Sequence, residues 1–81
     1  MSYGYSLRLV QLNKRANARS LGVKLGRTCI KLGVPVAEVA YDLAVSRQTV
    51  YNWFTGLNKP NKQTAEEISE LIALYQRDYQ I

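Results

Sequence analysis

The chain has no histidine and one cysteine, Cys29. Without a second thiol there is no internal disulfide, and without histidine no tetrahedral N/S ligand set, so finger-type zinc sites are excluded. Cys29 lies among Leu25, Ile30 and Leu32 and reads as a small buried hydrophobe. No apolar run approaches the roughly 20 residues of a membrane span, and the first residues lack a signal-peptide hydrophobic region, so cytoplasmic residence is expected. There is no glycine-rich phosphate loop and no serine with an identifiable activating base. Glu38 and Asp42 share a helical face, at a spacing that is ordinary for a surface. No catalytic set is expected, and no cofactor is required.

Acidic residues are also missing over a long stretch. The first 37 residues carry Arg8, Lys14, Arg15, Arg19, Lys24, Arg27 and Lys31 and no carboxylate, within a net charge of +5. A polyanion suits this polarity, because each neutralised phosphate releases condensed counterions. A basic surface kept for solubility is the plainer alternative. Eighty-one residues, 47% of them apolar, fit one folded domain with a small core.

Tyr3, Tyr5, Leu7 and Leu9 alternate with Ser2, Gly4, Ser6 and Arg8, the period of a short strand, while Leu9 and Leu12 also suit a helical turn. Residues 13–20 are polar and basic, either a loop or a helix start. From Ser20 to Leu32, the residues Leu21, Leu25, Thr28, Cys29 and Leu32 form a helical stripe. Gly22 and Gly26 weaken that helix unless another helix packs closely on them, and Gly33 is placed to cap its end. Pro35 suits the first turn of a second helix running to about Leu43, with Val36, Val39, Ala40 and Leu43 inward. After Ala44, Ser46 caps a helix from Arg47 to about Thr55, with Val45, Val50 and Trp53 as its apolar set. That arrangement leaves Arg47, Gln48, Tyr51, Asn52 and Thr55 for solvent. Residues 57–63 read as an exposed loop, and Thr64 with Glu67 as a capping box for a last helix to about Arg77. The expectation is an all-α, compact four-helix domain with a basic N-terminal arm or short strand.

From Ser20 to about Tyr75 the sequence resembles the helix-turn-helix domain of the phage lambda repressor and Cro-like family. The resemblance rests on Leu21 and Leu25, Gly33, Ala40, the run Val45-Ser46-Arg47-Gln48-Thr49-Val50 leading to Trp53, and Gly56 followed by Lys59-Pro60. Val36 stands where members usually carry a polar residue that contacts phosphate, and Ala44 replaces the common turn glycine. The resemblance implies a DNA-binding domain over residues 20–78, preceded by a basic arm, strand or helix over 1–19 and followed by a tail, 79–81. It matches Arg47, Gln48 and Asn52 to base-reading positions. The chemistry agrees, since arginine matches guanine O6 and N7 and glutamine or asparagine matches adenine N6 and N7. Tyr51 joins them with a ring for a thymine methyl. Arg15, Arg19, Ser46, Thr49, Thr55, Asn58, Lys59 and Lys62 are the candidates for the DNA backbone. Arg47 is left between base and phosphate, and Thr49 and Thr55 between DNA and their own backbone.

Trp53 is expected between the motif helices, and Phe54 against the last helix or a partner subunit. The expected function is sequence-specific binding of double-stranded DNA by a small repressor-like transcriptional regulator. It would act as a homodimer on a two-fold related operator, with Tyr75, Tyr79 and Ile81 of the tail as one possible dimer contact beside a closed monomer core. The alternatives are a DNA-marking assembly factor, such as a small terminase subunit or recombination accessory protein, with a phage or host protein partner, and a protein-interaction domain that has lost DNA contact.

Overall fold

The computed structural model describes residues 5–79. In it the Ser6 hydroxyl accepts the Leu9 amide at 3.1 Å and starts a helix, α1 (Leu7–Arg15). Of the two readings open for Tyr3–Leu9, the strand is not formed over its described part and the helical turn is, while Met1 to Gly4 lie outside the described residues. Helical spacing prevails over alternation because Tyr5, Leu9 and Asn13 fall four apart and all three are buried, whereas Leu7 is 72% exposed. The basic stretch after it is part helix and part link, and Lys14 and Arg15 close α1 at the negative end of its dipole.

Four helices follow: α2 (Leu21–Leu32), α3 (Val36–Leu43), α4 (Arg47–Phe54) and α5 (Lys62–Asp78). The described residues thus form five helices and no strand, where four helices were expected. α2 lies at the centre and packs against α1, α4 and α5. Its buried face is wider than the leucine stripe and includes Gly22, Val23 and Gly26. A Cβ on Gly22 would stand 2.8 Å from Trp53 Cβ, and one on Gly26 would stand 2.6 Å from Asn13 Nδ2 and 2.9 Å from Phe54 Cγ. The two glycines bring α2 close to α4 and α1, the reason their presence in a helix had suggested.

Gly33 ends α2 in the left-handed region (φ 78°), and the Val34 amide donates back to the Cys29 carbonyl at 2.9 Å. Tyr5 donates its hydroxyl to the Val34 carbonyl at 2.6 Å, tying the start of the described chain to this turn. Pro35 stands one residue before α3 rather than in its first turn. Asn61, not Thr64, caps α5: its Oδ1 accepts the Thr64 amide at 2.8 Å, so the helix begins at Lys62 and residues 62 and 63 leave the expected loop.

Tyr75 is buried and donates its hydroxyl to Asp42 Oδ2 at 2.6 Å, while Tyr79 donates to Glu38 Oε1. The two rings meet edge to face, 5.8 Å apart. Both tyrosine hydroxyls thus bond to α3 of their own chain, and Ile81 lies outside the described residues. The Glu38 and Asp42 pair, ordinary by its spacing, anchors the end of α5. No helix among the described residues is long and apolar enough to cross a membrane.

Candidate nucleic-acid interface

α3 and α4 meet through a three-residue link, Ala44 to Ser46. Ala44 takes the left-handed conformation (φ 56°, ψ 44°), the one non-glycine residue among those described to do so, and Val45 donates back to the Ala40 carbonyl at 3.0 Å. The geometry repeats the Gly33 turn without a glycine, which strains the backbone because Cβ crowds its own carbonyl. Ser46 Oγ accepts the Thr49 amide at 3.1 Å and lies 2.9 Å from Thr49 Oγ1. The cap read from the sequence is formed, and it starts α4 with Arg47 and Gln48 exposed in the first turn.

The inward side of α4 is settled by three residues. Val50 and Phe54 are fully buried and Trp53 is 7% exposed. Phe54 packs against the Tyr5 ring, with centroids 6.2 Å apart, and over Gly26, which leaves none of it for a partner subunit. Trp53 sits over Gly22. With this side anchored, helical geometry turns Arg47, Gln48, Tyr51 and Asn52 to the opposite side. Gln48 Nε2 donates to Asn52 Oδ1 at 3.0 Å, so the two amides are held as a pair that retains a free Gln48 acceptor and further N–H donors.

Gln48, Tyr51, Asn52 and Thr55 line an open groove of about 350 Å³ between α4 and α1. Its other wall includes Arg8 and Leu12 of α1. Arg8 was absent from the residues singled out by sequence, because with alternation in view its side relative to α4 was undefined. No local signal placed it, because α1 is settled as a helix by the burial of Tyr5, Leu9 and Asn13 in the packed fold.

The remaining candidates divide. Thr55 Oγ1 bonds back to the Tyr51 carbonyl at 2.9 Å, and Thr49 is engaged with Ser46, so both hydroxyls are locally satisfied. Asn58 is exposed in the link after α4, which is pinned by its amide donating to the Asn52 carbonyl at 3.2 Å. Lys59 is exposed in that link and Lys62 on the first turn of α5. Arg15 is exposed at the end of α1 and Arg19 on the link to α2, and this link abuts the exit of α4 where a Cβ on Gly56 would stand 3.2 Å from Ala16 Cβ. None of these five lines the groove. Arg27, another of the basic run, spends its guanidinium on the carbonyls of Asn13, Lys14 and Ala16, capping the end of α1. Val36 is buried in the core, so its position offers no polar group to a ligand.

Among the described residues no group of three or more His, Cys, Asp or Glu side chains could hold a metal ion. No protein family, curated protein or solved structure matches the chain.

Proposed function

We propose that the domain binds double-stranded DNA sequence-specifically, with α3 and α4 as a helix-turn-helix whose second helix enters the major groove. The observation that carries this reading is the polar face of α4. Arg47, Gln48 and Asn52 project from a short, capped helix whose opposite side is locked into the core by Val50, Trp53 and Phe54. The Gln48–Asn52 bond holds two base-edge readers in fixed relation, and each good bidentate contact is worth about 1–3 kcal/mol of discrimination. Tyr51 contributes a thymine-methyl contact beside them. Ser46, Asn58, Lys59, Lys62, Arg15 and Arg19 supply backbone contacts around this helix. The protein acts as a transcriptional regulator of the repressor type, and two copies read half-sites about 34–36 Å apart.

Selection from a randomised double-stranded DNA library, at near-physiological salt with excess nonspecific competitor, tests this. Enrichment of a site that is lost with Gln48→Ala and Asn52→Ala, both folded, is the expected result. Salt-sensitive binding without enrichment would favour a DNA-marking assembly role, and no binding by the folded protein would favour a protein-interaction domain.

A further inference from the structure

Unneutralised charge and apolar surface coincide at two places away from the α1–α4 groove. Between α1 and α2, a groove of about 240 Å³ is lined by Val10, Ile30, Lys14 and Lys31, together with Asn13 and Arg27, whose side chains are already bonded to backbone carbonyls. Between α3 and α5, a second groove of about 240 Å³ has Leu43, Leu71 and Leu74 along it and Glu67 and Glu70 at its edge. Neither lysine and neither glutamate is in an ion pair, and the one salt bridge among the described residues joins the neighbours Arg77 and Asp78. Leu74 is 37% exposed and follows Glu70 by four residues and Glu67 by seven, so the three form one edge of α5.

We propose that these grooves are the two sides of one self-association contact. The Glu67, Glu70 and Leu74 edge of α5 from a second copy of the chain docks over Val10 and Ile30, its carboxylates against Lys14 and Lys31. The occupant follows from complementarity. An apolar surface beside two ammonium groups calls for a helix edge carrying two carboxylates and a leucine, which this chain itself carries. A phosphate backbone would use the lysines and leave Val10 and Ile30 in water. The contact also leaves the proposed reading face open: Arg8 and Leu12 lie four apart on the side of α1 facing α4, whereas Val10 and Lys14 lie four apart on the side facing Ile30. Self-association of this kind goes beyond DNA recognition and does not depend on it, so its test contains no DNA.

Sedimentation equilibrium of the full chain across a range of salt provides that test. Wild type is expected to associate with concentration and to dissociate as salt rises. Lys14→Glu with Lys31→Glu, or Glu67→Lys with Glu70→Lys, should each weaken association about tenfold or more, since like charges then face each other. All four positions are exposed, so the fold is expected to persist, as circular dichroism will report. The two double variants mixed together should associate again, because each offers the charge that the other has lost. A wild type that remains monomeric, an association indifferent to both reversals, or a mixture that fails to recover overturns the proposal.

Discussion

Two residues stand in conformations or spaces that their side chains do not suit equally well. Ala44 holds a left-handed turn that Gly33 makes without strain one link earlier. The left-handed conformation costs a residue with a Cβ about 1–2 kcal/mol, and glycine gives back about 0.5–1 kcal/mol through the entropy of the unfolded chain. Ala44→Gly is therefore expected to stabilise the domain by about 0.5–1 kcal/mol in urea unfolding. A loss of stability would mean that the turn is not strained. Gly26 is the reverse case. A methyl there meets Asn13 Nδ2, which donates to the Phe54 carbonyl at 2.6 Å and to the Val23 carbonyl at 3.2 Å, and also meets the Phe54 ring. Overpacking and a broken buried hydrogen bond outweigh the gain in helix propensity, so Gly26→Ala should destabilise by about 2–3 kcal/mol. Equal midpoints for the two proteins would show that the neighbours yield freely. Asn13 itself is a polar residue at a buried helical position, 1% exposed, and no apolar periodicity reveals it.

At the scale of the helix, α4 was legible and α1 was not. Ser46 marks a cap, and Val50 and Trp53 mark the inward side, so the outward residues followed from local rules. For α1 those rules conflicted, because Tyr3 to Leu9 alternates while Leu9 and Leu12 are spaced as in a helix. Only burial of Tyr5 against Phe54 and Val34, with Asn13 bonded into the core, decides for the helix. That decision brings Arg8 beside Gln48, Tyr51 and Asn52. If α4 enters a major groove, Arg8 is placed for the flanking phosphate. Arg8→Gln should then lower the slope of log K against log salt by about 0.9, the value for one phosphate, without altering the preferred sequence. An unchanged slope would remove Arg8 from the interface, and a changed sequence preference would make it a base reader.

Across the whole molecule, three hydroxyls and a thiol, from both ends of the described chain and from α2, sit where ionisation is unfavourable. The hydrogen bond to Glu38, with burial adding to it, pushes the Tyr79 hydroxyl from 10.0 up to about 12. Burial, helped by the nearby Glu38 charge, pushes Cys29 from 9.0 up to about 12. Tyr75 and Tyr5 are raised as well, chiefly by burial, and Tyr75 also by its bond to Asp42. In each case the folded state favours the proton more than the unfolded chain does. The stability these groups contribute is complete below their unfolded values and is lost as pH rises through the folded ones. Urea midpoints should therefore begin to fall near pH 9, where Cys29 starts to contribute, and fall more steeply between 10.0 and about 12. Tyr79→Phe should make the upper part of that fall shallower. A midpoint that stays level to pH 12, or one whose fall is untouched by Tyr79→Phe, would contradict this account.

The all-helical class, the central helix with its two close-packing glycines, and the capped polar face of α4 were determined by the sequence alone. Each rests on neighbours within a turn or two, where spacing and capping chemistry act directly. The fifth helix, the buried amide of Asn13, the pairing of Tyr75 and Tyr79 with α3, and the division of the basic run among capping by Arg27, the α4 groove at Arg8 and the separate face of Lys14 and Lys31 were decided only by tertiary structure. These depend on contacts between residues 10 or more apart in the chain, whose free energy appears only when α1, α2, α4 and α5 are packed together. Charge counted along the sequence carries no direction, and packing assigns each side chain its face.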